Sequence, residues 1–132
     1  MRFNRFALHS LWLVALLLLP GCNALNPLCG SARPSPSLSS ISPTTMAFAQ
    51  LPPSFVLTAT GGHFVASTVI VFNGATLATT VVSSSQLTAN VTSSMIPVPG
   101  PFKVEVKTPS GNSGNLGCSS GGTSGTQTLT VN

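Results

Sequence analysis

The side chains that could move a proton, hold a metal or form a covalent bond are few in this 132-residue chain, and they lie far apart. Past Arg33 there is one imidazole, His63, one carboxylate, Glu105, and one thiol, Cys118, and the whole chain lacks aspartate. Acid–base or triad catalysis needs a base, a group that orients it and usually a carboxylate. His63 falls in a glycine-rich turn and Glu105 in the middle of an alternating strand pattern, so nothing in the spacing brings them together. The many serines sit in Ser-rich loops, the norm for exported β proteins, and no Gly-x-Ser-x-Gly nucleophile elbow is expected among them. A hydrolase using His63 is therefore the weakest functional reading. Cys29 and Cys118 with His63 do not supply the paired ligand spacing of zinc. A single glutamate does not suggest calcium. The expectation is a protein with no catalytic residue, no metal and no cofactor.

The amino terminus carries a different kind of signal. Arg2 and Arg5 precede fourteen mostly apolar residues, Phe6 to Leu19, which run into Leu19-Pro20-Gly21-Cys22. A basic start, a short apolar stretch and small residues before a cut describe a secretory signal peptide. The stretch is shorter than the roughly 20 residues that cross a bilayer, and Pro20-Gly21 end a helix. With a cysteine first after the cut, the segment resembles the lipobox of bacterial lipoproteins. That resemblance implies a diacylglycerol thioether on Cys22 and an acylated new amino terminus. Pro20 is an unusual occupant of its position. A competing cut after Ala24 would release a soluble protein without Cys22. Asn23, rather than Asp, after the lipid cysteine points to the outer membrane by analogy with lipoprotein sorting.

Removing residues 1–21 leaves 111, the size of one domain with one core. Arg33, Lys103 and Lys107 then face Glu105 alone, three cations against one carboxylate, for a net charge of +2. The sequence pI of about 9.6 reflects scarce carboxylates rather than clustered cations. Nucleic-acid binding would call for clustered Lys and Arg and is not expected. Intrinsic disorder combines low hydrophobicity with high net charge, and neither holds. If Cys22 carries lipid, Cys29 and Cys118 remain as an even pair in an oxidising compartment. A bridge would close a loop of about 90 residues and stabilise by roughly 4–5 kcal/mol on the chain-entropy reckoning. Two free thiols remain the alternative.

These residues must be positioned by strands. Residues 22–40, with Pro27, Pro34 and Pro36 among Ser and Gly, read as an extended tether. From Ile41 to Asn132 the apolar period is two. Phe55, Leu57 and Ala59 point inward after the breaker Pro52-Pro53. Thr68 to Phe72 is a continuous run, expected for a strand covered on both faces. Asn73-Gly74 signals a type I′ hairpin, with Leu77, Thr79 and Val81 on the return strand. Leu87, Ala89 and Val91 point inward from Gln86 to Thr92, and Pro97, Pro99 and Pro101 bar a strand after the short crossing Ser93 to Ile96. Phe102, Val104 and Val106 share one face of the next strand. Lys103, Glu105 and Lys107 share the other, as a solvated edge or face that favours solubility and resists edge pairing. Gly111 to Gly125 reads as a long loop, and Leu129 and Val131 close the core. About seven short strands without a convincing helix predict an all-β antiparallel sandwich.

Over about 90 residues this pattern resembles the IPT/TIG domain, an immunoglobulin-like sandwich. Ile41-Ser42-Pro43 is similar to that family's opening strand, and Thr58 to Phe64 to its glycine-rich turn ending in an aromatic. Val69 to Gly74, Ser83 to Thr88 and Gly100 to Val106 follow in the family's order. Thr45-Met46 replaces the glycine usual after the opening Ser-Pro, and Leu116 to Gly125 reads as an insertion. The resemblance implies a binding or spacer module without catalytic residues. It also implies that the first and last strands lie near each other, which would let Cys29 meet Cys118.

The functional expectation is a non-enzymatic envelope protein anchored to the membrane through Cys22, with an envelope protein or a glycan as partner. The alternative is a secreted carbohydrate-binding domain cut after Ala24. Tyr and Trp, the usual sugar platforms, are missing from the mature chain. Phe48, beside Pro52-Pro53, reads as a loop anchor or, less simply, a ligand contact.

Overall fold

The computed structural model describes residues 33–110 and 121–132; Cys22, Cys29 and Cys118 lie outside the described residues, as do the signal peptide and most of the proposed tether. Among the described residues ten strands occur in chain order: β1 (Ser37–Ser42), β2 (Thr45–Met46), β3 (Ser54–Gly62), β4 (Val69–Phe72), β5 (Ala75–Thr76), β6 (Thr79–Ser83), β7 (Gln86–Thr92), β8 (Gly100–Thr108), β9 (Gly122–Thr123) and β10 (Gln127–Val131). Among the described residues the regular helical elements are two single 3-10 turns, Phe48–Gln50 and Ser93–Met95. Seven strands are four residues or longer, and three are two-residue pairings.

Alternation decides the layers. Successive side chains on a strand point to opposite faces, so Leu57 and Ala59 of β3 and Leu87, Ala89 and Val91 of β7 line one inner face. Phe102, Val104 and Val106 of β8, with Leu129 and Val131 of β10, line the other. All of these are buried. One sheet has the order β1-β3-β7-β6; the second runs β2-β10-β8-β4-β5, with β9 on the end of β8. Pairing is antiparallel except for β2 on β10. The Phe72 and Phe102 rings stack in the core at 5.6 Å between centroids and 7° between planes. The expected all-β sandwich is the observed fold.

Several local expectations differ from what forms. The first strand opens at Ser37 rather than Ile41, inside the stretch read as tether. In β4 the continuous apolar run is not covered on both faces. Ile70 and Phe72 are buried while Val69 and Val71 are half-buried, because no layer of the described residues lies beyond the second sheet.

The hairpin forms at Asn73 (φ 47°) and Gly74 (φ 88°), the two positive angles of a type I′ turn. Its return strand, however, is only Ala75–Thr76. The chain then crosses to the other sheet, where Thr79 to Val81 pair with β7. Thr79 fastens the crossing: its hydroxyl accepts from the Ile70 amide at 2.8 Å and donates to the Leu77 carbonyl at 2.9 Å. A side-chain oxygen thus stands where a partner-strand carbonyl would have been.

β8 is an interior strand between β10 and β4, so its charges cannot guard an edge; they occupy the sheet's solvated face. The loop from Gly111 to Gly125 is interrupted by β9, which pairs antiparallel alongside the end of β8 through Lys107↔Thr123 and Thr108↔Gly122.

Candidate functional site

The sandwich has two ends and two outer faces, and the chemistry-bearing residues are spread over them. One end gathers Arg33, Pro109 and Gly121. The Arg33 guanidinium donates to the Pro109 carbonyl at 3.1 Å, and the Ser35 hydroxyl to the Gly121 carbonyl at 2.9 Å. Close by, Thr68 and Thr108 form a buried hydroxyl pair at 2.9 Å, and Thr68 Oγ1 also accepts the Val65 amide. Burial of these two threonines is tolerated because their hydroxyls are partnered. Ser67 Oγ, by contrast, is buried without a partner among the described residues.

His63 closes β3 at the same end with φ 61°, exposed, in a turn tied by the Gly61 amide to Ser85 O and the Phe64 amide to Ser84 O. Glu105 lies on the outer face of the second sheet, half-buried, where the Thr126 hydroxyl donates to Oε1 at 2.8 Å. Imidazole and carboxylate therefore belong to different sheets and do not form a pair. Among the described residues no group of three or more His, Cys, Asp or Glu is placed to hold a metal ion.

Lys103, Glu105 and Lys107 form a single row of alternating sign along β8. Their cross-strand neighbours are Thr128 and Thr123 on one side and the half-buried Val71 and Val69 on the other. The opposite outer face carries no charge. Ser42, Thr58, Thr88 and Thr80 are cross-strand partners in sequence, a row of hydroxyls spanning all four strands of the first sheet.

Phe48 stands at the other end of the sandwich in its 3-10 turn, with its amide donating to the Asn132 carbonyl at 2.6 Å. Its side chain is 37% exposed, so it does not act as the plug of that end; Ile96, at 2%, does. Sequence reasoning assigned Phe48 to the loop correctly and missed Ile96, which reads as part of a short crossing. It also missed Thr79 and the Thr68–Thr108 pair, since a threonine in a strand looks the same whether it faces water or a partner.

Contrary to the expectation that no such spacing occurs, Gly117-Cys118-Ser119-Ser120-Gly121 does fit Gly-x-Ser-x-Gly. Ser119 lies outside the described residues. The chain continues into β9 and then β10, not into the helix that a nucleophile elbow requires.

No protein-family model matches the sequence, and no curated protein is significantly similar to it. Solved structures align with the chain at low identity. A Bacteroides thetaiotaomicron protein provisionally assigned as a phosphatase aligns with a TM-score of 0.48 at 16% identity, over 74% of this chain and 18% of that one. An auxiliary nutrient binding protein from Bacteroides ovatus aligns with a TM-score of 0.49 at 12% identity, over 76% of this chain and 22% of that one. The chain thus spans about a fifth of each of those proteins, and the likeness is one of backbone shape alone.

Proposed function

We propose that this chain is a non-enzymatic, IPT/TIG-like module held at the bacterial envelope by lipid on Cys22, serving to bind or space a partner. The observation that carries the reading is dispersal: His63, Glu105 and the Thr68–Thr108 hydroxyl pair sit on separate elements, explained by turn geometry, solvation and mutual hydrogen bonding respectively. The lipobox pattern at Leu19 to Cys22 supplies the anchor. Cys22 precedes Arg33 by eleven residues. Whatever its conformation, an eleven-residue segment reaches at most roughly 40 Å, which keeps the Arg33 end near the bilayer. That leaves the Phe48 end and both outer faces accessible.

The test is metabolic labelling with an alkyne fatty acid in a bacterial host. Wild type is expected to carry label and to partition with membranes, and Cys22→Ala to lose both. Label retained in Cys22→Ala, or none on wild type, refutes the anchor.

A second reading, a secreted glycan-binding domain released after Ala24, is favoured by the hydroxyl row on the first sheet, which offers donors and acceptors without charge. It lacks the aromatic platform that usually carries sugar affinity. No binding by the purified protein on a glycan array would dismiss it.

A further inference from the structure

A sheet ends in a strand whose outward amides and carbonyls lack partners, and native proteins shorten, charge, bend or cover such strands. Most edges of this sandwich are treated in one of these ways. The second sheet ends in β2 and β5, each two residues long, and β9 is equally short. In the first sheet, β1 has a register irregularity between Leu38 and Ser40, and the Gln127 side-chain amide donates to the Ser39 carbonyl at 3.2 Å.

Among the described residues the longest regular edge left uncovered and uncharged is β6, Thr79-Thr80-Val81-Val82-Ser83; the stretch of β10 that β2 leaves unpaired is the shorter Gln127 to Leu129. It has five residues, no proline, no charge and strong β propensity, and it lies at the end of the order β1-β3-β7-β6. Its ladder with β7 is regular from Thr79 to Val81, and the register slips only at Ser83. Val82 on its outer face is 56% exposed. From Pro34 to Phe102 the sequence contains no Lys, Arg, Asp or Glu at all, so no neighbouring loop supplies the missing charge.

We infer that β6 is an interface on which a second copy of this chain docks, β6 against β6, joining two four-stranded sheets into one. The row of backbone groups dictates the chemistry of the occupant: only another extended strand satisfies it. Antiparallel pairing about a two-fold axis sets the same patch against itself, as an isologous dimer requires. Self-pairing is unopposed because the patch is neutral, whereas like charges directly opposite would be destabilising. Thr80 and Val82 alternate with Thr79 and Val81, so the two copies place matched β-branched side chains together on each face. The inference does not depend on the lipid anchor.

Sedimentation of the full processed chain in density-matched detergent, from micromolar to millimolar protein, tests it. A monomer–dimer equilibrium is expected for wild type, with Val82→Lys weakening association roughly tenfold or more, because each copy then brings a hydrated like charge to the shared outer face of a neutral edge. Val98→Lys, at the Phe48 end, is expected to dimerise like wild type. Wild type that stays monomeric throughout, or a folded Val82→Lys that associates unchanged, overturns the inference. Should Val82→Lys fail to fold, amide exchange of wild type decides. Protection of Thr79 to Ser83 that rises with protein concentration supports the interface, and protection independent of concentration rejects it.

Discussion

Thr79→Val isolates the device by which the chain changes sheets. Valine keeps the shape of threonine and its strand preference, so neither a cavity nor a propensity change confounds the result. What disappears is the hydroxyl that accepts from Ile70 N–H and donates to Leu77 C=O. Ile70 is fully buried, and Leu77 is 7% exposed, so water cannot replace the lost partner. An orphaned buried amide costs about 1–3 kcal/mol, and the second hydrogen bond is worth about 1 kcal/mol more, for a loss of roughly 2–4 kcal/mol.

In a domain of this size each kcal/mol lowers the midpoint by about 4–8 °C, so Thr79→Val is expected to melt roughly 8–32 °C below wild type. Urea unfolding followed by circular dichroism should show the midpoint shifted with an unchanged slope. Thr79→Ser keeps the hydroxyl and should recover most of the loss. Thr80→Val, one residue along and facing water, should fall within about 0.5 kcal/mol of wild type. A Thr79→Val protein as stable as wild type would refute the argument that this hydroxyl replaces a strand carbonyl.

Two glycines separate space from backbone angle. A Cβ on Gly61 would overlap the Ser37 carbonyl and sit 2.9 Å from Phe64 Cζ, so Gly61→Ala should loosen β1 and raise amide exchange from Ser37 to Ser42, at about 1–3 kcal/mol. Gly74 has open space but φ +88°, so Gly74→Ala should cost only the left-handed penalty of about 1–2 kcal/mol in chemical denaturation. Ser67→Ala removes an unpartnered buried hydroxyl and should raise stability by about 1 kcal/mol, read as a higher melting midpoint. Intact mass under non-reducing conditions should show Cys29 and Cys118 as a bridge two hydrogens lighter than the dithiol. Both cysteines lie outside the described residues, Cys29 four positions before Arg33 and Cys118 three before Gly121, and two free thiols would refute the bridge.

The inward sets were legible because burial of one sheet face imposes a strict period of two. Leu57 with Ala59, Leu87 with Val91, and Phe102 with Val106 announce themselves by alternation alone. Asn73-Gly74 was legible for a local reason, since few residue pairs accept two positive φ angles. The candidate site was legible mainly by subtraction: with one carboxylate and one imbalanced row of charge, little chemistry was available to place.

Pairing partners were another matter. Alternation in Leu77, Thr79 and Val81 fits a continued hairpin and a strand of the opposite sheet equally well, because both bury the same side chains. The crossing was decided by where the β4 edge found its hydrogen bonds. The charges on β8 likewise fit an edge or an interior strand, and only β10 and β4 on either side settled it.

The amino-acid order by itself thus determined which side chains are dry, where the chain turns, and how little reactive chemistry it holds, since these derive from periodicity, local backbone preference and composition. The folded arrangement alone decided which strands are neighbours, which edge stays open, and which threonines are buried partners. Those outcomes depend on contacts between residues distant in sequence, and no local pattern encodes them.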